Sequence, residues 1–268
     1  MPRSDTQIVG LSRRTWLGVL TIVVVLLVWW LLTSVTGWIS AVRFPPPKDV
    51  GEAFKQIALQ GYGNGKLHQH IFHSFKLVMM GFGVAVAVGV PLGLLMGYSR
   101  KAEALINPAF LLLRPIPPLA WIPLAIVWLG LGDAAKVLVI FVAAFVPSVI
   151  NSYTGVRNID KPIMEAAQML GIRGFKFVTD VLVPGAFPMI FTGLRLSLQA
   201  SWTTLVAAEL VGALYGLGSI LNQGAQDIYP AMILIAMVFV AICGALSTAL
   251  LGYAETKAMP WRSERVTA

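Results

Sequence analysis

The run LVMMGFGVAVAVGVPLGLLMGY, Leu77 to Tyr98, contains no charged side chain, and an α-helix needs about 20 largely apolar residues to cross a bilayer. Inside it Gly81, Ala85, Gly89, Gly93 and Gly97 stand four apart, so one helix face is nearly bare and another helix can approach its backbone closely. Two later apolar runs repeat the device, one with Ala200, Thr204, Ala208 and Gly212 and the other with Gly244, Thr248 and Gly252. The spacing predicts tight packing within one bundle; a dimer seam or a sliding surface is the alternative use of the same faces.

Working outward, further uncharged or nearly uncharged runs cover Thr15 to Gly37, Pro118 to Gly132, Val137 to Gly155, Gly185 to Gly212 and Ala231 to Tyr253. With the opening run they make six crossings and an all-α polytopic membrane protein. The third is short and is expected to begin earlier, in Ile106 to Leu113, with an irregular stretch at Arg114-Pro-Ile-Pro-Pro118. Thr15 to Leu32 has the basic flank of a cleaved signal peptide, Arg13 and Arg14, but its apolar stretch exceeds the usual h-region.

Composition agrees. Of 268 residues 57% are hydrophobic and only 12% charged, too few polar groups to cover a water-facing globule. A single Cys243 excludes a disulfide scaffold, and unordered Gly and Pro exclude collagen. The net charge of +8 would also suit a nucleic-acid binder, but its distribution favours a membrane. With the N-terminus inside, Arg3, Arg13, Arg14, Arg100, Lys101, Arg157, Lys161, Arg173, Lys176, Lys257, Arg262 and Arg265 are cytoplasmic, against Arg43, Lys48, Lys55 and Lys66 outside. Twelve against four places both termini in the cytoplasm. The expected organisation is a cytoplasmic N-terminus (1–14), a transmembrane domain (15–256) and a cytoplasmic C-terminus (257–268). Phe44-Pro-Pro-Pro47 stops any helix, and Val50, Ala53, Phe54, Ile57 and Ala58 then predict an outer helix at about 48–60 lying on the membrane surface.

Charges deep in a bilayer are functional candidates, and Arg114, Arg195 and Glu209 qualify. Arg195 and Glu209, fourteen residues apart, fall within about 40° of one helical face and roughly 21 Å apart along it. Ser197, Gln199, Ser201, Thr203 and Thr204 lie between them, so this helix is expected to line a wet cavity. The alternative is that the hydroxyls bond to backbone carbonyls and the charges snorkel to the interfaces. Pro115, Pro117, Pro118 and Pro123 mark either an interrupted helix bordering a transport site or a plain turn. A P-loop is missing, since Gly65-Lys66 is followed by Leu67 and preceded by Gln60 where the first Gly belongs. His68, His70 and His73 are expected to form a solvated cluster rather than a metal site, and no clustered catalytic set points to an enzyme or to a cofactor in this chain.

The segment at about 157–184 is the longest connection expected in the cytoplasm. Asp160 can cap a helix opened by Pro162 and closed by Gly171, with an apolar stripe of Ile163, Ala166, Ala167 and Leu170 suited to a partner's groove. Glu165-Ala166-Ala167, Gly171 and Val181-Leu-Val-Pro184 resemble the EAA loop of the inner-membrane permease subunits of binding-protein-dependent ABC importers, which have Ile and Leu where Val181 and Val183 stand here. Phe44-Pro-Pro-Pro47, the Arg114 to Pro123 stretch, Trp128-Leu-Gly-Leu-Gly132, Trp202 to Leu210 and Gly216-Leu-Gly218 look like the taurine and aliphatic-sulfonate branch, related to nitrate, bicarbonate and cyanate permeases.

The resemblance implies a six-helix type I (MetI-like) permease fold in a bacterial inner membrane. It also implies a second copy of this chain, two ATPase subunits that hold ATP and Mg, and a periplasmic binding protein. Glu165, Ala166, Ala167, Leu170, Gly171 and Pro184 would couple to the ATPase. From their placement in the spans, and not from the resemblance, Arg114, Arg195, Ser197, Gln199, Ser201, Thr203, Thr204 and Glu209 are expected to border the path of a small anion such as taurine or another alkanesulfonate. Glu209 would belong to an outer gate or hold the binding protein. A nitrate or bicarbonate permease of the same family is the near alternative, and a secondary transporter working without nucleotide the remote one.

Overall fold

The computed structural model describes residues 13–260, with side chains from Trp16 onward; the expectations for Arg3, Arg262 and Arg265, and for the side chains of Arg13 and Arg14, lie outside the described residues. Helix α1 (Arg13–Trp30) is continued by a wide π turn at Leu31–Val35. None of its apolar residues is buried within the chain. It is tied to the proline segment at Trp29, whose Nε1–H donates to the Pro45 carbonyl at 3.0 Å and whose ring meets Phe44 edge-on.

Helix α2 (Pro47–Lys55) starts at the predicted proline stop, and a π turn at Gln56–Gln60 closes on Gly61 at φ 98°. Part of its apolar side packs on protein, a contact that the sequence expectation did not include. Ala53 and Ile57 are wholly buried in one cluster with Ala231, Met232, Ile235 and Ala236, and Phe54 stacks on Phe239. Burying these side chains against α11 removes apolar area from water, so the helix is part of the fold.

Helix α3 (Leu67–Tyr98) begins ten residues earlier than the uncharged run, because Lys76 and three histidines ride on its first turns. Helix α4 (Arg100–Leu113) is capped by Ser99, whose Oγ accepts from the Ala102 N–H at 3.3 Å. It turns through 82° into a 3₁₀ turn at Pro118–Trp121 and helix α5 (Ile122–Leu129). Pro115, Pro117 and Pro118 supply no N–H to continue α4, so the chain bends where the sequence places them. Helix α6 (Asp133–Arg157), the short α7 (Lys161–Met169) and α8 (Phe175–Phe177), and a π turn at Val178–Leu182 lead into α9 (Val183–Leu210). A small helix α10 (Leu217–Gln226), absent from the sequence expectation, precedes α11 (Pro230–Ala258). Among the described residues five helices are long and apolar enough to cross a membrane, and the bent α4–α5 pair counted as one span makes six.

Helix α6 sits between α3 and α9. The bare face of α3 lies on it: a Cβ at Gly81 would come within 2.5 Å of Ile140, at Gly89 within 2.9 Å of Ser148 and at Gly97 within 2.7 Å of Val156. On its other side α6 receives Gly193 of α9 at Asn151 and the Pro147 carbonyl, while its own Gly155 meets Ala186. The four-residue spacing in α3 is therefore spent on packing inside one chain. The Gly244, Thr248, Gly252 stripe of α11 is different, for Gly244 has nothing nearer than the Trp202 ring at 3.9 Å.

Candidate functional site

The polar residues of α9 do not share one wet face. At about 100° per residue, Arg195, Gln199 and Thr203 fall on one side of the helix and Ser197, Ser201 and Thr204 on the other. The second set is buried. Ser197 Oγ donates to the Ala144 carbonyl at 2.7 Å and bonds Ser148 Oγ at 2.8 Å, and Ser201 Oγ returns to the Ser197 carbonyl at 2.8 Å. Ser197 thus ties α9 to α6 and Ser201 bonds back within α9, so the polar residues of α9 divide between a packed face and an open one instead of lining one cavity together.

The first set opens onto a groove of about 660 Å³ between α9 and α11, lined by Arg195, Gln199, Thr203, Trp202, Gly244 and Thr248 among others. Small residues on α11 make the space. Thr203 Oγ1 is committed to the Gln199 main-chain carbonyl at 3.0 Å, and the exposed Gln199 side chain lines the groove. The Arg195 guanidinium is half exposed and paired with Glu255 near the end of α11, a partner sixty residues away that local sequence does not disclose. The buried Trp202 Nε1–H has no hydrogen-bond partner among the described residues. Arg114 lies apart, exposed at the α4–α5 bend.

Glu209 lies elsewhere again. It is wholly buried, with Oε1 accepting from Ser74 Oγ at 2.8 Å and Oε2 from the Gly218 N–H at 2.7 Å. Ser74 Oγ also accepts from the Leu217 N–H at 2.8 Å, and His70 Nδ1 from the Gly216 N–H at 3.1 Å. Three successive N–H groups at the start of α10 are thus caught by side chains from α3 and α9, and a carboxylate closes the set where the helix dipole favours negative charge. Gly216, at φ 125°, and Gly218 are needed here because a Cβ at either would strike the Glu209 side chain. Wholly buried and with both oxygens engaged, Glu209 offers no surface of its own; what it holds is the start of α10.

The histidines are not a solvated cluster. With Nδ1 accepting from Gly216, the His70 proton sits on Nε2 and is donated to the Tyr62 carbonyl at 3.2 Å, and the ring is buried. His73 is partly covered and lies 3.2 Å from Asp133 Oδ2, and only His68 is freely exposed. Asp133 also pairs with Lys136 at 3.4 Å, a buried cation beyond the three intramembrane charges expected from the sequence. Outside the spans, Tyr62 donates to Asp227 Oδ2 at 2.5 Å, and burial, reinforced by the Asp227 carboxylate, holds its phenol above the ordinary range. Asn64 Nδ2 reaches the Leu214 carbonyl at 3.1 Å, so the loop before α3 holds both ends of the α10 region.

At the opposite end of the bundle, α7 forms where expected, with Pro162 in its first turn and Gly171 at φ 74° past its last. Asp160 occupies the N-cap position but its side chain makes no capping bond. The predicted stripe divides in two. Ala167 is buried against Val156, Phe177, Leu182 and Ala186, whereas Ile163, Ala166 and Leu170 point outward, Leu170 being 78% exposed. Glu165 is exposed beside them, and Pro184 sits in the first turn of α9.

Residues 89–258 match the family described as binding-protein-dependent transport system inner membrane component. The chain is 36% identical to the taurine transport system permease protein TauC of Escherichia coli, over 95% of this chain and 92% of that protein. It is 30% identical to the putative aliphatic sulfonates transport permease protein SsuC of Bacillus subtilis, over 98% and 95%. With the nitrate import permease protein NrtB of Synechocystis the identity is 33%, over 89% and 87%. Among solved structures, an inward-facing conformation of the MetNI methionine ABC transporter superposes with a TM-score of 0.60 at 21% identity, covering 72% of this chain and 94% of that one, and thus shares the fold.

Proposed function

We propose, because this chain belongs to the binding-protein-dependent transport system inner membrane components, that it forms the membrane passage of an ATP-driven importer for a small oxyanion, most closely an alkanesulfonate such as taurine. The observation that carries the reading is α7: a helix anchored through Ala167 with Ile163, Ala166 and Leu170 left outward. An apolar helical face of this kind fits a groove on a partner, here a separate ATPase subunit holding ATP and Mg. Two copies of the chain, two ATPases and an extracytoplasmic binding protein complete the importer, with both termini in the cytoplasm of a bacterial cell. The nucleotide cycle biases an equilibrium between inward-open and outward-open states, as any ligand with differential affinity does.

The α9–α11 groove is the stretch of wall best suited to the cargo. It holds a guanidinium, a free amide and hydroxyls on an otherwise apolar surface, and a guanidinium fork matches a sulfonate or nitrate. In this conformation Glu255 occupies that fork, so an incoming anion exchanges with it. Names of relatives that include taurine, aliphatic sulfonates and nitrate support an anionic cargo. Arg195→Ala is expected to lower taurine uptake by about tenfold in proteoliposomes containing the full complex, the worth of one charge-assisted hydrogen bond, with ATPase co-purification unchanged. Undiminished uptake would remove Arg195 from the path.

A further inference from the structure

We propose that the open pocket between α7 and the adjoining ends of α3 and α6 is a binding site for a phosphate oxyanion, supplied either as the headgroup of an anionic lipid or as free phosphate. It has a volume of about 790 Å³ and is separate from the α9–α11 groove, so it does not rest on the transport reading.

Four cations reach it from different stretches of chain: Arg100 opening α4, Arg157 ending α6, Lys161 opening α7, and Arg173 between α7 and α8. Arg157 is already committed, paired with Glu103 and lying over the Tyr153 ring. Arg100, Lys161 and Arg173 make no ion pair with any described residue, and the one carboxylate in the lining is Glu165. Three uncommitted cations against one anion leave an excess positive charge of two facing a shared space. This is convergence rather than the general basicity of an inner loop, since Lys101 and Lys176, close neighbours in sequence, contribute nothing to the lining.

Apart from Glu165 and Gln168, the rest of the wall is largely apolar. Tyr98 and Phe177, ring centroids 6.0 Å apart, stand with Met164 and Ile172 beside the cationic side. A cavity half cationic and half apolar, at the level where α3 ends on a tyrosine, offers one surface to a phosphate and another to the glycerol above it. Basic pockets between helices on the cytoplasmic side are the usual place for anionic headgroups, and aromatic rings mark that depth. An oxyanion here would bridge Lys161 and Arg173, which flank α7, to Arg100 of α4, and so fix the stance of α7 on the bundle.

Native mass spectrometry of the detergent-purified complex tests this, with phosphatidylglycerol and phosphatidylcholine as probes. Phosphatidylglycerol is expected to bind at least fivefold more tightly than phosphatidylcholine. The Arg100→Gln, Arg173→Gln pair should lose about tenfold of that binding, whereas the control pair Lys101→Gln, Lys176→Gln should keep it. Inorganic phosphate that displaces the lipid assigns the site to a free oxyanion, and phosphate without effect assigns it to lipid; either result supports the site. Equal losses in the two double variants would mean diffuse surface charge and overturn it. So would equal binding of the two lipids, or loss of the ATPase from the Arg100→Gln, Arg173→Gln variant with lipid retention unchanged.

Discussion

Gly93→Val is expected to lower the thermal midpoint of the detergent-solubilised protein by roughly 10 °C, or to prevent its accumulation, while Gly83→Ala on the same helix leaves the midpoint unchanged or raises it. A Cβ at Gly93 would meet the Val149 carbonyl, Ser152 Cβ at 2.8 Å and the Tyr153 N at 3.0 Å, whereas at Gly83 it would meet nothing within 4 Å. Two of the three obstacles at Gly93 are backbone of α6 and cannot rotate away, so α3 must move off the helix on which it packs. Overpacking a tight site costs about 1 to 3 kcal/mol and more where the neighbours are rigid, a large share of a total stability of about 5 to 15 kcal/mol. Gly83 instead gains helix propensity of roughly 0.5 to 1 kcal/mol. Differential scanning fluorimetry of the two variants separates intrachain packing from a sliding or dimeric use of this face; tolerance of valine at Gly93 would contradict the packing described.

The second large effect is at Glu209. Glu209→Ala would leave the Ser74 hydroxyl and the Gly218 N–H without their acceptor in a buried site, at about 1 to 3 kcal/mol each. The α10 N-terminus is then free to leave α3 and α9, and limited proteolysis between Val211 and Leu217 should become much faster. Uptake should fall with it, while the ATPase still co-purifies, because α7 lies at the other end of the bundle. Glu209→Gln keeps one acceptor and should show a smaller effect on both readouts. Unchanged protease resistance in Glu209→Ala would remove the carboxylate from its role as the clasp of the outer segment.

How much of this the sequence discloses depends on the range of the interaction. Spans, the two ends of α7 and the bend at Arg114 to Pro118 follow from local rules: uncharged length, proline without an N–H, and glycine at positive φ past α7. The Gly81 to Gly97 series announces a close approach, though not that α6 is the partner. What escapes local reading is pairing at long sequence separation. Ser74 with Glu209, His70 with Gly216, Glu103 with Arg157 and Arg195 with Glu255 each join residues more than fifty positions apart. For this reason His70 reads as solvated and the packing of α2 on α11 goes unseen. The division of the α9 polar residues is the exception, since the helical period alone separates Arg195, Gln199 and Thr203 from Ser197, Ser201 and Thr204. The long rise from Arg195 to Glu209 makes the two ends of one helix more conspicuous than its two faces. A usable signal for the outer clasp also exists: Gly216 and Gly218 closely follow a buried carboxylate, and such glycines often mark a backbone drawn tightly against a side chain.

The claim on which the functional reading turns is that this chain provides a passage and that α7 receives the drive from another subunit. The direct measurement is taurine uptake into proteoliposomes in three preparations: the chain alone, the chain with its ATPase, binding protein and ATP, and the same complex carrying Ile163→Asp and Leu170→Asp. The account predicts uptake in the second alone, and in the third an ATPase that no longer co-purifies although the permease remains folded. Uptake by the chain alone, or full ATP-driven uptake with two carboxylates on the outward face of α7, would contradict it.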